Sequence, residues 1–255
     1  MKLVEMYSYG DNLSAKVKKC FGIEYTNIDI ALKMANKLVE DKTLEEVLDM
    51  KVLDPCIGTG ILIYSLLSVI AVKFKGINLG KWIDNNVYGV DIDKNAVEMV
   101  RTALIEMGAS KEAVYNNIVV GNIMFNGLSI YRLVPKYSLD NYYWNESDDI
   151  EDDVEFEEFG STKTIDELYK DYKSETDTDK KIIKHIEYYI EALGKNGIEM
   201  TWCNEGDIPI VCELEFLDIF KNHGGFDGVL LNAPNVSVAN IVGNREELKK
   251  YKVYN

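Results

Sequence analysis

The first 120 residues alternate between stretches with helical spacing of apolar residues and short continuous apolar runs. Over residues 28–39 the apolar residues recur at every third or fourth position, which predicts an amphipathic helix. Thr43 stands three residues before Glu46, a capping-box spacing that predicts a short second helix ending near Met50. The next apolar run, 51–54, is short and ends in an acid, and we interpret it as a buried strand.

The alternation of helices and strands continues over the next four predicted elements. The pattern predicts an apolar helix over 61–74, a buried strand over 86–92, an amphipathic helix over 93–107 and a third strand over 117–120. Strands that alternate with helices favour an α/β fold with a doubly wound parallel sheet. In such a sheet the carboxyl ends of the strands meet around one crevice, so residues distant in the sequence become neighbours around a shared ligand.

The alternation stops after the third predicted strand and resumes only near the end of the chain. Residues 127–206 are rich in tyrosine and acids, with one predicted helix over 180–193, and we interpret them as a long insertion before the fourth strand. Residues 208–220 have strand character, 226–231 form a short buried strand, and 244–251 form a polar helix. The chain thus divides into the segments 1–50, 51–126, 127–206 and 207–255.

Composition and charge exclude several classes of protein. Of the 255 residues 47% are hydrophobic, which supports a packed core and excludes global disorder. The formal net charge of -15 argues against a chain that holds nucleic acid by itself, because phosphate binding needs clustered Lys and Arg. No apolar run reaches the roughly 18 residues of a membrane span and no signal peptide is evident, so we expect a cytoplasmic protein with no membrane partner. The scattered cysteines predict free thiols and no metal site.

The first candidate binding segment follows the first predicted strand and reads Asp-Pro-Cys-Ile-Gly-Thr-Gly from Asp54 to Gly60. Gly58 and Gly60 let the backbone approach a ligand, and the helix N-terminus behind them offers unpaired N–H groups. Asp54, followed by Pro55, suits a ligand that carries an amino group. The segment is neither a P-loop, since no lysine follows the last glycine closely, nor a complete dinucleotide fingerprint, since Ile63 replaces the third glycine. The alternative is a glycine turn that only packs the helix on the strand.

Polar residues also follow the second and third predicted strands. Asp91 can accept hydrogen bonds from both ribose hydroxyls of a nucleoside, and Ile92 can pack against an adenine face. Asp93 is better interpreted as the N-cap of the next helix. Asn122, just after Gly121, could meet an adenine edge through its side-chain amide. Taken alone, Asp91 is equally explained as a cap or turn residue, and Asn122 as a turn residue.

The fourth candidate segment follows the last predicted strand and comprises Asn232, Ala233, Pro234 and Asn235. With it, the motifs in this order resemble those of the gamma-type adenine-specific DNA methyltransferases, above all the large type IIG restriction–modification enzymes. That family has D-P-x-x-G-T/S-G, G-V-D/E-I-D and N-P-P-Y, and a Y-T-P ahead of a helix, where this chain has Tyr25 and Thr26. The similarity covers residues 21–122 and 211–255.

The resemblance implies a Rossmann-like methyltransferase fold and an enzyme of a restriction–modification type system. Such an enzyme transfers a methyl group from S-adenosyl-L-methionine (SAM) to the exocyclic amine of adenine in DNA. The implied cofactor-binding residues are Tyr25, Thr26, Asp54, Pro55, Gly58, Gly60, Asp91, Ile92 and Asn122. Thr26, Asp54 and Gly58 would lie near the methionine moiety. Asn232 would be the catalytic polar residue, in a motif completed by Ala233, Pro234 and Asn235.

The chain departs from the family pattern in two respects. Ala233 and Asn235 replace a proline and the aromatic residue that stacks on the flipped base, and about twenty residues follow the motif, so we expect a sheet that is incomplete at the C-terminus. DNA would then be recognised through a missing C-terminal region or a second chain, and a protein partner would complete the sheet. Two alternatives stay open: a degenerate SAM-binding or interaction module without catalysis, and a methyltransferase of RNA or protein.

Overall fold

The structure, a computed structural model, describes residues 26–123, 163–194 and 210–233. The chain separates into two compact units, one made of Met1–Leu128 and Asn204–Asn255 and the other of Ser129–Cys203, and each is described by itself. The predicted helix over 244–251 lies outside the described residues. Within the described ranges no helix is both long and apolar enough to cross a membrane.

The described elements of the first unit begin with helices and then alternate between strands and helices. Residues 26–123 form α1 (Ile28–Leu38), α2 (Leu44–Asp49), β1 (Val52–Asp54), α3 (Ile61–Lys73), α4 (Leu79–Asn86), β2 (Val87–Asp91), α5 (Lys94–Glu106), α6 (Lys111–Asn117) and β3 (Ile118–Val120). The second unit contributes α7 (Ile165–Ser174) and α8 (Thr178–Gly194). Residues 210–233 of the first unit form α9 (Cys212–Glu215), α10 (Leu217–Asn222) and β4 (Gly228–Val229).

The four described strands form one all-parallel sheet in the order β3-β2-β1-β4. Leu53 of β1 is paired with Tyr88 of β2 on one side and with Val229 of β4 on the other. Because all pairs are parallel, the carboxyl ends of the strands lie at the same edge of the sheet. The prediction of an α/β fold with a parallel sheet is therefore confirmed, as is the prediction that the first and fourth strands end on the same side.

Local capping signals mark where several helices begin. Thr43 and Glu46 form the predicted capping box of α2, in which each side chain is bonded to the other residue's backbone N–H. Asp93 is the N-cap of α5, as predicted, and its Oδ1 accepts from the backbone N–H groups of Asn95 and Ala96. These caps satisfy backbone donors that have no partner inside the helix.

The prediction of strand character over residues 208–220 is wrong for the described part of that range, which forms α9 and α10. Alternating apolar residues there imitate a strand. The backbone N–H of Glu215 nevertheless donates to Val211 O over 2.8 Å, and that of Phe216 to Cys212 O over 2.9 Å, as in a helix. Phe216, between the two helices, is buried and packs edge-on against Tyr88 of β2, and tertiary contacts of this kind override the local alternation.

Both faces of the sheet are buried along β1, β3 and most of β2, as is usual for parallel strands. One face joins the main core, whose centre is α3, a helix that is apolar nearly all round and packs against α1. The other face carries Tyr88, whose ring lies 5.4 Å from the Phe216 ring and 5.3 Å from the Phe226 ring, both edge-on. The segment from α9 to β4 therefore covers the second face of the sheet near β2.

One buried hydrogen bond joins α2 to α4. The indole Nε1 of Trp82 donates to Val47 O over 2.7 Å, and both residues are buried. We expect Trp82→Phe to lower the free energy of unfolding by roughly 1–3 kcal/mol, because the carbonyl loses a donor where water cannot replace it. Urea unfolding followed by circular dichroism measures this change. Tyr88→Phe is the control, since it removes a partly buried bond to Asn85 O and should cost less; an equal cost for the two variants would contradict the prediction.

The described part of the second unit is a pair of helices with an aromatic core. Thr164 and Glu167 form a capping box at the start of α7. The His185 ring stacks on the Tyr172 ring at 4.3 Å with an interplanar angle of 6°, and Tyr188 packs against Tyr169 at 5.5 Å. The prediction of a helix over 180–193 is confirmed, because α8 contains that range. Contacts between aromatic rings thus make up a large part of the packing between these two helices.

Candidate functional site

The candidate site lies at the carboxyl edge of the sheet, where most of the predicted site residues lie. Asp54 and Asp91 are the last residues of β1 and β2, Asn122 follows β3, and Asn232 follows β4. β4 lies on one side of β1, whereas β2 and β3 lie on the other, so the direction of strand order reverses between β1 and β4. Open α/β sheets bind ligands outside the strand ends at such a reversal. The two strands on either side of this reversal are β1, which ends at Asp54, and β4, which Asn232 follows.

A glycine turn connects β1 to α3 and is held by the end of β2. Gly58 and Gly60 have φ of 49° and 85°, a region that side-chain-bearing residues rarely adopt. A Cβ on Gly60 would also lie 2.7 Å from the Tyr64 ring. The backbone N–H of Gly58 donates to Asp91 Oδ2 over 2.7 Å. The turn is thus fixed with the N-terminus of α3, a 13-residue helix, at the carboxyl edge.

Asp54 is the most deeply buried acid of this site. Only 1% of the surface of Asp54 is exposed to solvent. Its Oδ1 accepts from the backbone N–H of Cys56 over 3.2 Å, while its Oδ2 has no hydrogen-bond partner among the described residues. Burial, reinforced by the charge of Asp91, raises the pKa of the Asp54 carboxyl to about 8. A buried oxygen that lacks a donor is a ready acceptor for an N–H group of a ligand.

Asp91 has a structural role that the sequence left open as an alternative. Its Oδ1 accepts from the backbone N–H of Asp93 over 2.9 Å, which makes it a turn residue, and its Oδ2 holds Gly58. Burial raises the pKa of Asp91, and the hydrogen bonds from Asp93 and Gly58 oppose that rise. Each carboxylate oxygen has a second lone pair. The predicted ribose contact is therefore compatible with this geometry and stays a prediction, as does the adenine contact of half-buried Ile92.

Thr26 and Asn232 are joined directly although they are 206 positions apart. The Asn232 Nδ2 donates to Thr26 Oγ1 over 3.0 Å. Thr26 is 9% exposed and precedes α1, while Ala233, next to Asn232, is exposed. The first and last of the candidate motifs thus meet. Tyr25, Pro234 and Asn235 lie outside the described residues, and their predicted roles stay predictions.

The remaining predicted residues have mainly backbone roles in the structure. Asn122 accepts through its carbonyl oxygen from the backbone N–H of Ile210 over 3.0 Å, which ties the end of β3 to the segment before α9. Pro55 is half-buried in the turn after β1. Burial raises the pKa of the neighbouring Cys56 thiol to about 12, so this cysteine stays protonated and is a poor nucleophile.

Sequence reasoning missed the contribution of Gly89, in the middle of β2. A Cβ at Gly89 would lie 2.5 Å from Ile57 Cδ1, so a larger residue there would require the side chain of Ile57 in the turn to shift. The backbone N–H of Ile57 also donates to Val90 O over 2.9 Å. A glycine inside a strand is a known signal of such a close approach.

Comparison with known proteins adds no family to this geometry. No protein-family model matches the chain, and no match was found among the curated proteins with which it was compared. Among the described residues, no group of three or more His, Cys, Asp or Glu could hold a metal ion. Any assignment of function therefore rests on the motifs and on the arrangement of the carboxyl edge.

Proposed function

We propose that the chain is the SAM-binding and catalytic part of an adenine-specific DNA methyltransferase of the restriction–modification type, with a Rossmann-like methyltransferase fold. The strand order 3-2-1-4 supports this fold, because doubly wound nucleotide-binding sheets have it around their binding crevice. The observation that carries the proposal is the Asn232–Thr26 hydrogen bond, which joins the catalytic candidate after β4 to the first of the candidate motifs. β4 itself pairs with β1, the strand that ends in buried Asp54.

The binding roles follow the chemistry of each position. Asp54 Oδ2, buried and without a partner in the described chain, fits the ammonium group of the methionine moiety. The N-terminus of α3 fits the carboxylate of the same moiety, because unpaired N–H groups and the helix dipole favour an anion there. Asp91 would accept from the ribose hydroxyls, Ile92 would flank the adenine ring, and Asn122 would meet its edge.

The catalytic role of Asn232 follows from the poor nucleophilicity of the target nitrogen. The lone pair of the exocyclic amine of adenine is delocalised into the ring. Acceptors aimed at its two N–H groups, here the Asn232 side-chain oxygen and the Ala233 carbonyl, favour a nitrogen with a localised pair. When bound, SAM supplies the methyl group on its sulfonium. The protein contributes positioning and preorganised dipoles, which can lower such a barrier by several kcal/mol.

The target base must leave the duplex, and the motif at residues 232–235 contains no aromatic residue to stack on it. Asn235 stands where an aromatic side chain stacks on the flipped base in the family that this chain resembles. Stacking of that kind contributes roughly 1–3 kcal/mol per base. We therefore expect weak extrusion of the base by this chain alone.

Partners would supply what this chain lacks. The formal net charge of -15 leaves little affinity for duplex DNA, so DNA recognition would come from a further region or a second chain. A protein partner would extend the sheet beyond β4, the last strand of the described order, where Val229 is 55% and Leu231 is 42% exposed. Exposed apolar residues at a sheet edge favour such association.

Calorimetric titration with SAM tests the proposal. We expect wild-type protein to bind SAM and Asp91→Ala to bind it at least tenfold more weakly, because the variant loses a charged acceptor and the anchor of the glycine turn. S-adenosylhomocysteine and its 2′-deoxy analogue separate the two losses. If Asp91 contacts the ribose, the mutation costs less affinity for the deoxy analogue; equal costs would leave Asp91 a turn residue only.

Methyl transfer distinguishes an enzyme from a degenerate module. The full chain, alone and with a recombinant DNA-recognition subunit, is incubated with radiolabelled SAM and adenine-containing DNA, RNA or protein acceptors. The proposal is supported if the wild-type protein transfers the labelled methyl group to DNA and the variant Asn232→Ala does not. SAM binding with no transfer to any acceptor would favour the degenerate module, and transfer to RNA or protein alone would replace the substrate class.

A further inference from the structure

Two carboxyl groups stand at the ends of β1 and β2, Asp54 and Asp91, and their environments differ. Asp91 receives a backbone N–H on each of its oxygens, from Asp93 and from Gly58. Asp54 receives one backbone N–H, on Oδ1, and its Oδ2 is buried with no partner in the described chain. Of two neighbouring acids, the one with more donors keeps its charge more easily. The arrangement therefore favours an ionised Asp91 beside a neutral Asp54.

We propose that Asp54 carries a proton in the ligand-free protein and releases it to solvent when a ligand brings an ammonium group to Oδ2. This inference rests on the proposed function, since SAM is the ligand that would bring the ammonium group. In the exchange the O–H bond of the acid breaks, the proton passes to a buffer base, and an ion pair with the ligand forms without a covalent bond. Asp54 then selects ligands by charge, because a nucleoside without an amino-acid moiety cannot replace the proton.

Among the described residues, no group of opposite charge compensates an ionised Asp54. Asp91, at the end of β2, is the charged group that acts on it, and its charge is of the same sign. The titratable group in the turn is the Cys56 thiol, whose raised pKa keeps it neutral. Thr26, which precedes α1, and Asn232, which follows β4, are hydrogen-bonded to each other, and neither carries a charge. Burial of Asp54 raises its pKa to about 8, which agrees with a protonated acid at neutral pH in the ligand-free protein.

Proton release can be measured directly by calorimetry with the full chain. Titrations at pH 6.5 and 7.0 in phosphate and in imidazole, whose ionisation enthalpies differ, give the number of protons released per ligand bound. These pH values lie below the range of about 7.7–8.0 in which an α-amino group loses its own proton. We expect close to one proton for SAM and for S-adenosylhomocysteine, and none for adenosine. Affinity for SAM should rise up to tenfold per pH unit, which is the limit for one linked proton.

Two variants and one spectroscopic measurement make the outcomes distinct. Asp54→Asn should bind SAM more weakly and release no proton, while Asp49→Asn, at an exposed acid on α2, should behave like wild type. The 13C shift of the Asp54 carboxyl in the free protein should titrate near pH 8. SAM binding without proton release, or titration below pH 5, would overturn the inference alone. Titration near pH 8 in a protein that never binds SAM would instead overturn the proposed function and the exchange with it.

Discussion

Replacing Gly80 with alanine is expected to lower the free energy of unfolding of the first unit strongly. A Cβ at Gly80, in α4, would lie 2.1 Å from the backbone oxygen of Gly108 and 2.5 Å from its carbonyl carbon. Both neighbours are backbone atoms in the turn after α5, so relief requires a shift of one helix against another. We expect a loss of roughly 3 kcal/mol or more from a total that is typically about 5–15 kcal/mol.

Urea unfolding followed by circular dichroism measures this loss, and Gly76→Ala is the matched control. Gly76 has φ of 92°, but a Cβ there would meet no atom within 4 Å. The only cost expected for Gly76→Ala is therefore the backbone strain of an alanine with a left-handed φ, which lowers the free energy of unfolding by about 1 kcal/mol. The prediction requires Gly80→Ala to cost clearly more than Gly76→Ala. Equal losses would mean that α4 and the turn after α5 do not approach as closely as described.

The second large effect concerns Asp54 and the pH dependence of stability. The pKa of this carboxyl is about 8 in the folded protein, against an ordinary value of 3.8, because burial disfavours the charged form. A raised pKa means that the folded state holds the proton more tightly than the unfolded state. The stabilisation is thus fully present below about pH 4 and is lost as pH rises to about 8, and it amounts to several kcal/mol.

The variant Asp54→Asn cannot ionise and should lack this loss. We expect its free energy of unfolding to exceed that of wild type by several kcal/mol at pH 8.5, with a much smaller difference at pH 4.5. Urea unfolding of the ligand-free proteins at both pH values gives the comparison. A wild-type protein whose stability does not fall relative to Asp54→Asn between these values would contradict the buried, neutral state of the acid.

Asp227→Asn is the control of opposite sign. Partial burial alone would raise the pKa of Asp227, but hydrogen bonds from the Lys51 backbone N–H and from His223, each 2.7 Å long, lower it. Its contribution is therefore present at neutral pH and is lost as pH falls through its folded-state pKa. Removing this carboxylate should destabilise the protein at pH 8.5, whereas removing that of Asp54 should stabilise it.

The parts of the fold that sequence reasoning predicted are those with a strong local cause. The apolar run of α3 and the capping box at Thr43 depend on residues within one or two turns of each other. The helix α4 is absent from the prediction because its apolar residues are few. The helices α9 and α10 are predicted as a strand because their apolar residues alternate, and their form depends on contacts such as Phe216 with Tyr88. Short amphipathic segments have little local preference of their own.

For the candidate site, the sequence indicated the residue types and left their partners open. That Asp91 ends a strand and that Gly58 lies in a turn follows from the pattern, but the hydrogen bond between them crosses from β2 to the turn after β1. The contact of Thr26 with Asn232 depends on β4 lying beside β1, which the order of elements along the chain does not specify.

The sequence by itself determined the alternation of strands and helices, the caps, and an acid at the end of each of the first two strands. These features arise from periodicity and from hydrogen bonds between residues close in the chain, which are the same in any fold. The tertiary structure alone decided that Asp54 is buried with a free carboxylate oxygen among the described residues while Asp91 is held by two donors. Burial and long-range hydrogen bonds exist only after packing, and they set which acid can be charged.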